Sequence, residues 1–456
     1  MASPSGPSEV NPKIFGAYDV RGVYPTDLND ETAYRIGRAF AQYLGVERIA
    51  VGRDMRLSSP ALAAAFMRGI TDQGADAVDL GMTTTDELYF AVGKFGYPGG
   101  AMITASHNPK QYNGLKMCRA DAVAISSETG GFDIRDLAVS GQFAAPTRQG
   151  QITQRDVSDD FVAHCLSFID VSKVKPYKIA VDAGNGMAGL IVPRVFQKLP
   201  CELVPLYFEL DGSFPNHPAS PIEPENTEKL RKVVPAQGCN MGIAFDGDAD
   251  RMFLIDEHGR LLGGDMVTAL VAHSLLQTHP GATILYNLIC SRSVPEVIER
   301  DGGRAVRTRV GHSFIKAQMR QENAIFGGEH SGHFYFRDNW YADSGLIAFL
   351  IVLELVSVSG KTVSQLVAEV DTRFRSGEIN SEVHDQQERL AAVERQFAAR
   401  GAQIDHLDGV TIGFPTWWAN VRPSNTEPLL RLNVEADSKD ELERRAAEVL
   451  AVIRQA

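Results

Sequence analysis

Residues 48–81 read RIAVGRDMRLSSPALAAAFMRGITDQGADAVDLG. A short β-branched run leads into a polar loop, then a stretch with apolar residues at helical spacing, then a second apolar run. This is the pattern of strand, helix and strand. It returns in KIAVDAGNGMAGLIVPRVFQKL, residues 178–199, and in TILYNLICSRSVPEVIERDG, residues 283–302. Strands alternating with helices predict largely parallel α/β sheets. Three such openings predict three related α/β domains, although their loops differ in sequence. The tail has another texture. DGVTIGFPTWWANVRPSNTEPLLRLNVEA, residues 408–436, reads as strands and turns. SKDELERRAAEVLAVIRQ, residues 438–455, reads as an amphipathic helix with Ser438 as N-cap and Glu441 placed for a capping box. A smaller α+β domain is therefore expected at the end. Turn and linker signals place the boundaries at 1–150, 151–257, 258–370 and 371–456.

A chain of 456 residues is long enough for several domains. The net charge of −12 argues against a nucleic-acid partner held through phosphate electrostatics, while leaving room for a small anionic substrate in a local basic pocket. The five cysteines are scattered and form no CxxC pair, so a reduced cytosolic protein is expected, without disulfides or a zinc ribbon. The start, MASPSGPSEVNP, lacks the basic and apolar regions of a secretory signal. Leu346–Val356, the most apolar segment, contains Glu354 and is too short to span a bilayer, so a buried helix is expected there.

Four stretches carry candidate chemistry. Thr104-Ala105-Ser106-His107-Asn108-Pro109 ends an apolar run with a serine beside a histidine. A carbonyl-attacking serine sits in a G-x-S-x-G elbow or has a lysine three residues on. Here Lys110 is four on, and neither pattern fits. Asp246-Gly247-Asp248-Ala249-Asp250-Arg251 alternates carboxylates with small residues between apolar runs, so three oxygens can face one hard cation such as Mg²⁺. An EF-hand would need glycine where Arg251 stands and helices on both sides. Gly327-Gly328-Glu329-His330-Ser331-Gly332-His333 surrounds polar side chains with glycine, which suits hydrogen bonding to a polyol. A zinc site there would need a third ligand beside His330 and His333. Arg422-Pro423-Ser424-Asn425-Thr426-Glu427-Pro428 offers a guanidinium, hydroxyls and an amide between prolines, either a phosphate cradle or a surface turn. A magnesium loop and a phosphate cradle together turn the reading of Ser106 toward phosphoryl transfer.

TASHNP, DGDADR, GGEHSGH and RPSNTEP, in this order, resemble the α-D-phosphohexomutase superfamily, most closely its bacterial phosphomannomutase/phosphoglucomutase members. DGSFPNHPASPIEPEN, residues 211–226, resembles this subgroup too. The resemblance implies four domains around a central cleft, three of them alike. It implies that Ser106 carries the phosphoryl group and that Asp246, Asp248 and Asp250 bind Mg²⁺ together with an oxygen of the phosphorylated Ser106. It further implies that Glu329 and Ser331 read the sugar, and that Arg422, Ser424, Asn425 and Thr426 bind the distal phosphate. Arg21, Lys116, His312 and His333 match active-site positions, with Lys116 expected to move the proton and Arg251 to contact phosphoserine or sugar. His107 is expected to be a phosphoserine ligand or a loop-shaping residue. The implied reaction interconverts hexose 6-phosphate and hexose 1-phosphate through a hexose 1,6-bisphosphate, with mannose preferred and glucose accepted. The implied protein is a cytoplasmic monomer or homodimer without nucleic-acid or membrane partners. Phosphoglucosamine mutase, which usually has glutamine where His330 stands, is the nearest alternative. A metal-dependent sugar phosphatase is the alternative of another class. There is one departure. Ile289 occupies a place where related enzymes often carry lysine, so a pocket cation is expected to be missing or supplied elsewhere, with Arg292 the nearest candidate.

Overall fold

The computed structural model describes residues 9–424 and 429–455. Three sheets share one plan. In the first, Arg48–Arg53 lies between Asp76–Met82 and Gly99–Ile103, all parallel, and Tyr112–Arg119 then pairs antiparallel with Gly99–Ile103. In the second, Lys178–Asp182 lies between Glu202–Leu206 and Met241–Phe245, and Met252–Ile255 follows antiparallel. In the third, Thr283–Asn287 lies between Arg304–Thr308 and Phe326–Gly328, and Phe334–Phe336 follows antiparallel. The repeat expected from three similar openings is thus present. The sheets are mixed rather than largely parallel, because in each the third strand turns back through a short loop, and a short connection can only produce an antiparallel neighbour.

That short loop joins the third and fourth strands in every unit. In the first it carries Ser106, in the second Asp246-Gly247-Asp248-Ala249-Asp250-Arg251, and in the third Glu329-His330-Ser331-Gly332-His333. Three distant motifs therefore occupy one topological position, and packing the three units together brings them to one place.

The fourth sheet is antiparallel throughout, in the order Phe374–Glu382, Leu429–Ala436, Trp417–Pro423, Val410–Gly413, Gln403–Asp405. Helices Gln386–Ala398 and Lys439–Ile453 supply residues to its core, around Trp417 and Phe397. The Ser438 side chain accepts the Glu441 N–H, forming the serine half of the expected capping box.

The cores of the second and third units merge into one large cluster. It includes the helix Gly345–Ser359, which is buried along nearly its whole length as expected. Among the described residues no helix is long and apolar enough to cross a membrane. In the first unit, helices Asp30–Leu44 and Ser59–Asp72 cross closely. A Cβ on Gly37 would lie 2.2 Å from the Phe66 carbonyl oxygen, and one on Gly69 would lie 2.1 Å from that of Tyr34. The backbones touch because both crossing points are glycine. Gly69→Ala is expected to destabilise the first unit by about 1–3 kcal/mol through overpacking, read as a lower urea midpoint.

Candidate active site

Ser106 follows the buried strand Gly99–Ile103 and has φ 49°, in the left-handed region. This conformation lifts its hydroxyl out of the loop toward the second unit. Ser106 Oγ donates to Asp246 Oδ2 at 2.6 Å and accepts from Arg251 Nη2 at 3.1 Å. Arg251 Nε also donates to Asp246 Oδ2, at 2.9 Å. A Cβ on Gly247 would sit 2.4 Å from the Ser106 carbonyl oxygen, so glycine there permits the two loops to touch. His107 Nδ1 lies 3.3 Å from Ser106 Oγ and beside the Arg251 guanidinium. The charge of Arg251, then burial, hold its pKa well below the usual imidazole value, so His107 is neutral near pH 7.

Asp246, Asp248 and Asp250 are buried, and one oxygen of each can meet within 4.8 Å. Asp248 Oδ2 accepts from Thr85 Oγ1 at 2.6 Å and from Lys116 Nζ at 2.7 Å. Thr85 opens the helix Thr85–Phe95, and its N–H donates to the Asp248 carbonyl. The positive end of that helix thus faces the acidic loop. Lys116 Nζ also donates to Asp250 Oδ2. Burial would lower the Lys116 pKa, but Asp248 and Asp250 outweigh it and raise it, so Lys116 rests as an ammonium. Burial, then the Asp248 charge, push Asp250 up to about 6. Asp248 Oδ1 and Asp250 Oδ1 are buried without a hydrogen-bond donor. Three carboxylates against two cations, Lys116 and Arg251, leave negative charge in excess. Buried acceptors without donors and uncompensated charge fit a hard divalent cation.

The third unit closes the site. Glu329 is buried and takes three donors: Tyr335 Oη at 2.5 Å, Asn287 Nδ2 at 3.1 Å and the Gly311 N–H at 3.2 Å. His312, at the start of the helix His312–Glu322, packs on the Tyr18 ring at 5.3 Å. Burial lowers its pKa well below the ordinary value, so it is neutral. His333 Nδ1 lies 2.8 Å from Asp343 Oδ2, and Lys316 Nζ lies 2.6 Å from Asp343 Oδ1. Burial would lower the His333 pKa, but its bond to Asp343 raises it. Asp250, His333 and Asp343 also come close enough to hold an ion, but the buried Lys316 ammonium already faces Asp343. Ser331 is half-buried in the same loop.

One cavity of about 370 Å³ is lined by Arg21, Ser106, Lys116, Arg251, His312 and His333, with Tyr18 and Asp250 among its other walls. Arg21 reaches it from the first strand, held by Asp19 at 2.8 Å and the Thr104 carbonyl at 2.8 Å. Arg422 does not line this cavity. It is buried in the fourth sheet, donating to Asn433 Oδ1 at 2.9 Å and to Glu378. Ser424 adjoins it and is buried. Asn425 and Thr426 lie outside the described residues. Burial raises the pKa of Tyr18 first, then Glu329 and Asp408, while Arg309 and Arg422 pull it down.

The side chain of Arg292 is turned to the fourth unit. It donates to the carbonyls of Phe414 and Pro415 and so fastens the third unit to the fourth, while Ile289 is buried. Arg309 is exposed and packs its guanidinium on the Phe314 ring at 4.2 Å, which in turn meets Tyr18 edge-on.

Residues 12–143, 159–259 and 263–374 match the alpha/beta/alpha domains I, II and III of phosphoglucomutase/phosphomannomutase, and residues 378–452 match its C-terminal domain. The chain belongs to the phosphoglucomutase/phosphomannomutase family. It is 41% identical over 452 residues to a phosphomannomutase of Salmonella montevideo, covering 97% of this chain and 99% of that one. It is 42% identical over 442 residues to the phosphohexose mutases of Xanthomonas campestris, covering 96% of this chain and 99% of the relative. A solved structure of a phosphoglucomutase/phosphomannomutase family protein from Burkholderia thailandensis superposes with a TM-score of 0.89 at 32% identity, covering 98% and 99% of the two chains.

Thr85 beside the acidic loop, Tyr89 and Asp343 in the cavity wall, and Arg56 behind the Ser106 loop escaped sequence reasoning. Thr85, for example, meets Asp248 across 163 residues. Asp343 and Lys316 show only that two charges are buried, which sequence does not display.

Proposed function

We propose that this protein is a divalent-metal-dependent phosphohexomutase, preferring mannose phosphates and accepting glucose phosphates. The observation that carries the reading is Ser106. Its hydroxyl stands between Asp246 and Arg251 at the wall of a polar cavity, beside the acidic loop, and its shortest bond, at 2.6 Å, is to Asp246 of that loop rather than to His107 at 3.3 Å.

Asp246, Asp248 and Asp250 would hold Mg²⁺, completed by an oxygen of phosphorylated Ser106. When bound, this ion offsets charge on the transferring phosphoryl group. A phosphoserine brings a charge of about −1.5 to −2, which the acidic loop alone would repel. Arg251 already touches Ser106 Oγ and is placed to bind the phosphoryl oxygens. In the first half-reaction a hydroxyl oxygen of hexose 1-phosphate or 6-phosphate bonds to phosphorus, and the bond from phosphorus to Ser106 Oγ breaks. The products are hexose 1,6-bisphosphate and free Ser106. After the bisphosphate turns over in the cleft, Ser106 Oγ takes the other phosphoryl group, leaving the isomeric monophosphate. The proton lost by the attacking hydroxyl goes to a cavity side chain, and the departing oxygen receives one. Lys116 holds a proton in the resting state and His312 is neutral, so the cavity contains a donor and an acceptor. Glu329, fixed by three donors, and Ser331 would bind sugar hydroxyls, with His333 beside them. Arg422, Ser424, Asn425 and Thr426 would take the distal phosphate, with Glu378 exchanged for that phosphate as the fourth unit closes. Arg21 and Tyr18 complete the cavity wall. We place the unit boundaries near residues 150, 257 and 370.

Glu329→Gln would set an amide N–H against donors that now share a carboxylate. The expected result is a loss of kcat/KM of about 10- to 100-fold, because a mismatched buried hydrogen bond costs about 1–3 kcal/mol. The function itself is tested by a coupled assay of mannose, glucose and glucosamine 1-phosphates, with Mg²⁺ and catalytic hexose 1,6-bisphosphate. Mannose 1-phosphate should be the best substrate or close to it. Preference for glucosamine 1-phosphate, or release of inorganic phosphate without isomerisation, would contradict the proposal.

A further inference from the structure

A buried arginine behind the Ser106 loop has no part in the reaction described above. Arg56 lies between the strand Arg48–Arg53 and the helix Ser59–Asp72, and its side chain is 0% exposed. Its Nη1 donates to the carbonyls of Pro109 at 2.9 Å and Tyr112 at 3.0 Å. Its Nη2 donates to those of Ser106 at 2.8 Å and Asn108 at 2.6 Å. Its Nε lies 3.2 Å from Asp54 Oδ2, which leaves the charge paired although buried. Asp54 is fixed in turn by Ser59 Oγ at 2.5 Å and by the Arg56 N–H at 3.0 Å. One planar guanidinium thus gathers four carbonyls from the seven residues 106–112. A lysine ammonium has three donors and no fork, and could not reproduce this.

The second unit covers this arrangement. The Phe214 ring stacks over the Arg56 guanidinium at 5.0 Å, and Phe214 itself has φ 49°. A Cβ on Gly212 would lie 2.6 Å from Arg56 Cα, so the loop containing DGSFP presses directly on the arginine. The Ser106 carbonyl is therefore enclosed by Arg56 on one side and Gly247 on the other.

We infer that Arg56 is a positioning residue for the Ser106 hydroxyl, acting through the backbone of residues 106–112, with Phe214 of the second unit completing its seat. This rests on Ser106 being the phosphate carrier. Ser106 must keep a left-handed φ for its Oγ to face Asp246 and Arg251. Four carbonyl bonds to one rigid group hold that geometry, and a displacement of about 1 Å at a reacting atom can cost on the order of a hundredfold in rate.

The test uses Arg56→Lys and Phe214→Leu in the full-length protein, with kcat, KM, circular dichroism and hydrogen exchange of amides 106–112 by mass spectrometry. For Arg56→Lys the expected result is a fall in kcat of about thirtyfold with KM within about twofold. Exchange over 106–112 should rise about tenfold while that of the fourth unit is unchanged. For Phe214→Leu the same pattern is expected at about threefold. Unchanged kcat and exchange in the folded variants would overturn the inference. So would a loss of kcat that disappears on cooling in step with the unfolded fraction. If Arg56→Lys does not fold, Phe214→Leu decides by the same two readouts. A wild-type protein without mutase turnover would instead defeat the functional reading, leaving the exchange data to judge Arg56.

Discussion

Ser106→Ala is expected to lower mutase kcat by more than about a thousandfold, because it removes the atom that carries the phosphoryl group and no neighbouring hydroxyl can replace it. Thr104, two residues before it, has Oγ1 bonded to the Ser106 N–H and is buried. The variant should remain folded. Only one side-chain oxygen is lost, and Asp246 keeps Arg251 as a partner at 2.9 Å. The cavity would still contain Arg21, Lys116 and His312, so sugar phosphate should bind with a Kd within a fewfold of wild type. Isothermal titration together with the coupled assay separates these quantities. Near-normal turnover in Ser106→Ala would remove phosphoserine from the mechanism. Lost turnover together with lost fold would point to a structural role.

Asp248→Asn carries the second large effect. In the wild type, Mg²⁺ at about a hundred times its Kd should stabilise the protein by about 2.7 kcal/mol through linkage, visible as a rise in Tm. Asp248 contributes an oxygen without a donor to the acidic loop, and its other oxygen holds Lys116 and Thr85. Asparagine preserves the shape and can still accept from Thr85, but removes one of the three negative charges. The Mg²⁺-dependent rise in Tm should then largely vanish, and kcat should fall by about a hundredfold or more. An undiminished thermal response would show that the carboxylate does not hold the metal. Calorimetric titration with Mn²⁺ provides the same comparison without reference to activity.

Local chemistry was legible in the sequence, and long-range chemistry was not. The Asp246–Arg251 loop could be read directly because strands flank it and small residues separate its acids. The same holds for Glu329–His333. Such features depend on neighbours within a few positions. Their convergence could be read only through the family resemblance, since the physical reason is the shared third-to-fourth-strand position in three sheets. The sheets were expected to be largely parallel because strand–helix alternation is the dominant pattern. The antiparallel returns carry no helix to mark them, and the loops that open them are where the site lies. Lys116 was recognisable as a cavity residue, but its resting state depends on Asp248 and Asp250, more than 130 positions away. Arg292 followed Ile289 closely enough to suggest compensation. Its side chain instead turns to the carbonyls of the fourth unit, a direction that depends on how the two units pack. Arg56 gives no signal at all in sequence. A buried arginine within an ordinary strand–loop–helix is visible only when its four carbonyl partners are in place.

The central claim is that Ser106 passes its phosphoryl group to the sugar. A single-turnover experiment tests this most directly. The protein would be labelled with ³²P at Ser106 using labelled hexose 1,6-bisphosphate, freed of small molecules, and mixed with unlabelled mannose 1-phosphate and Mg²⁺. The label should leave the protein and appear first in hexose 1,6-bisphosphate, at a rate no slower than kcat. Appearance of the label as inorganic phosphate, or its retention on the protein through many turnovers, would contradict the account.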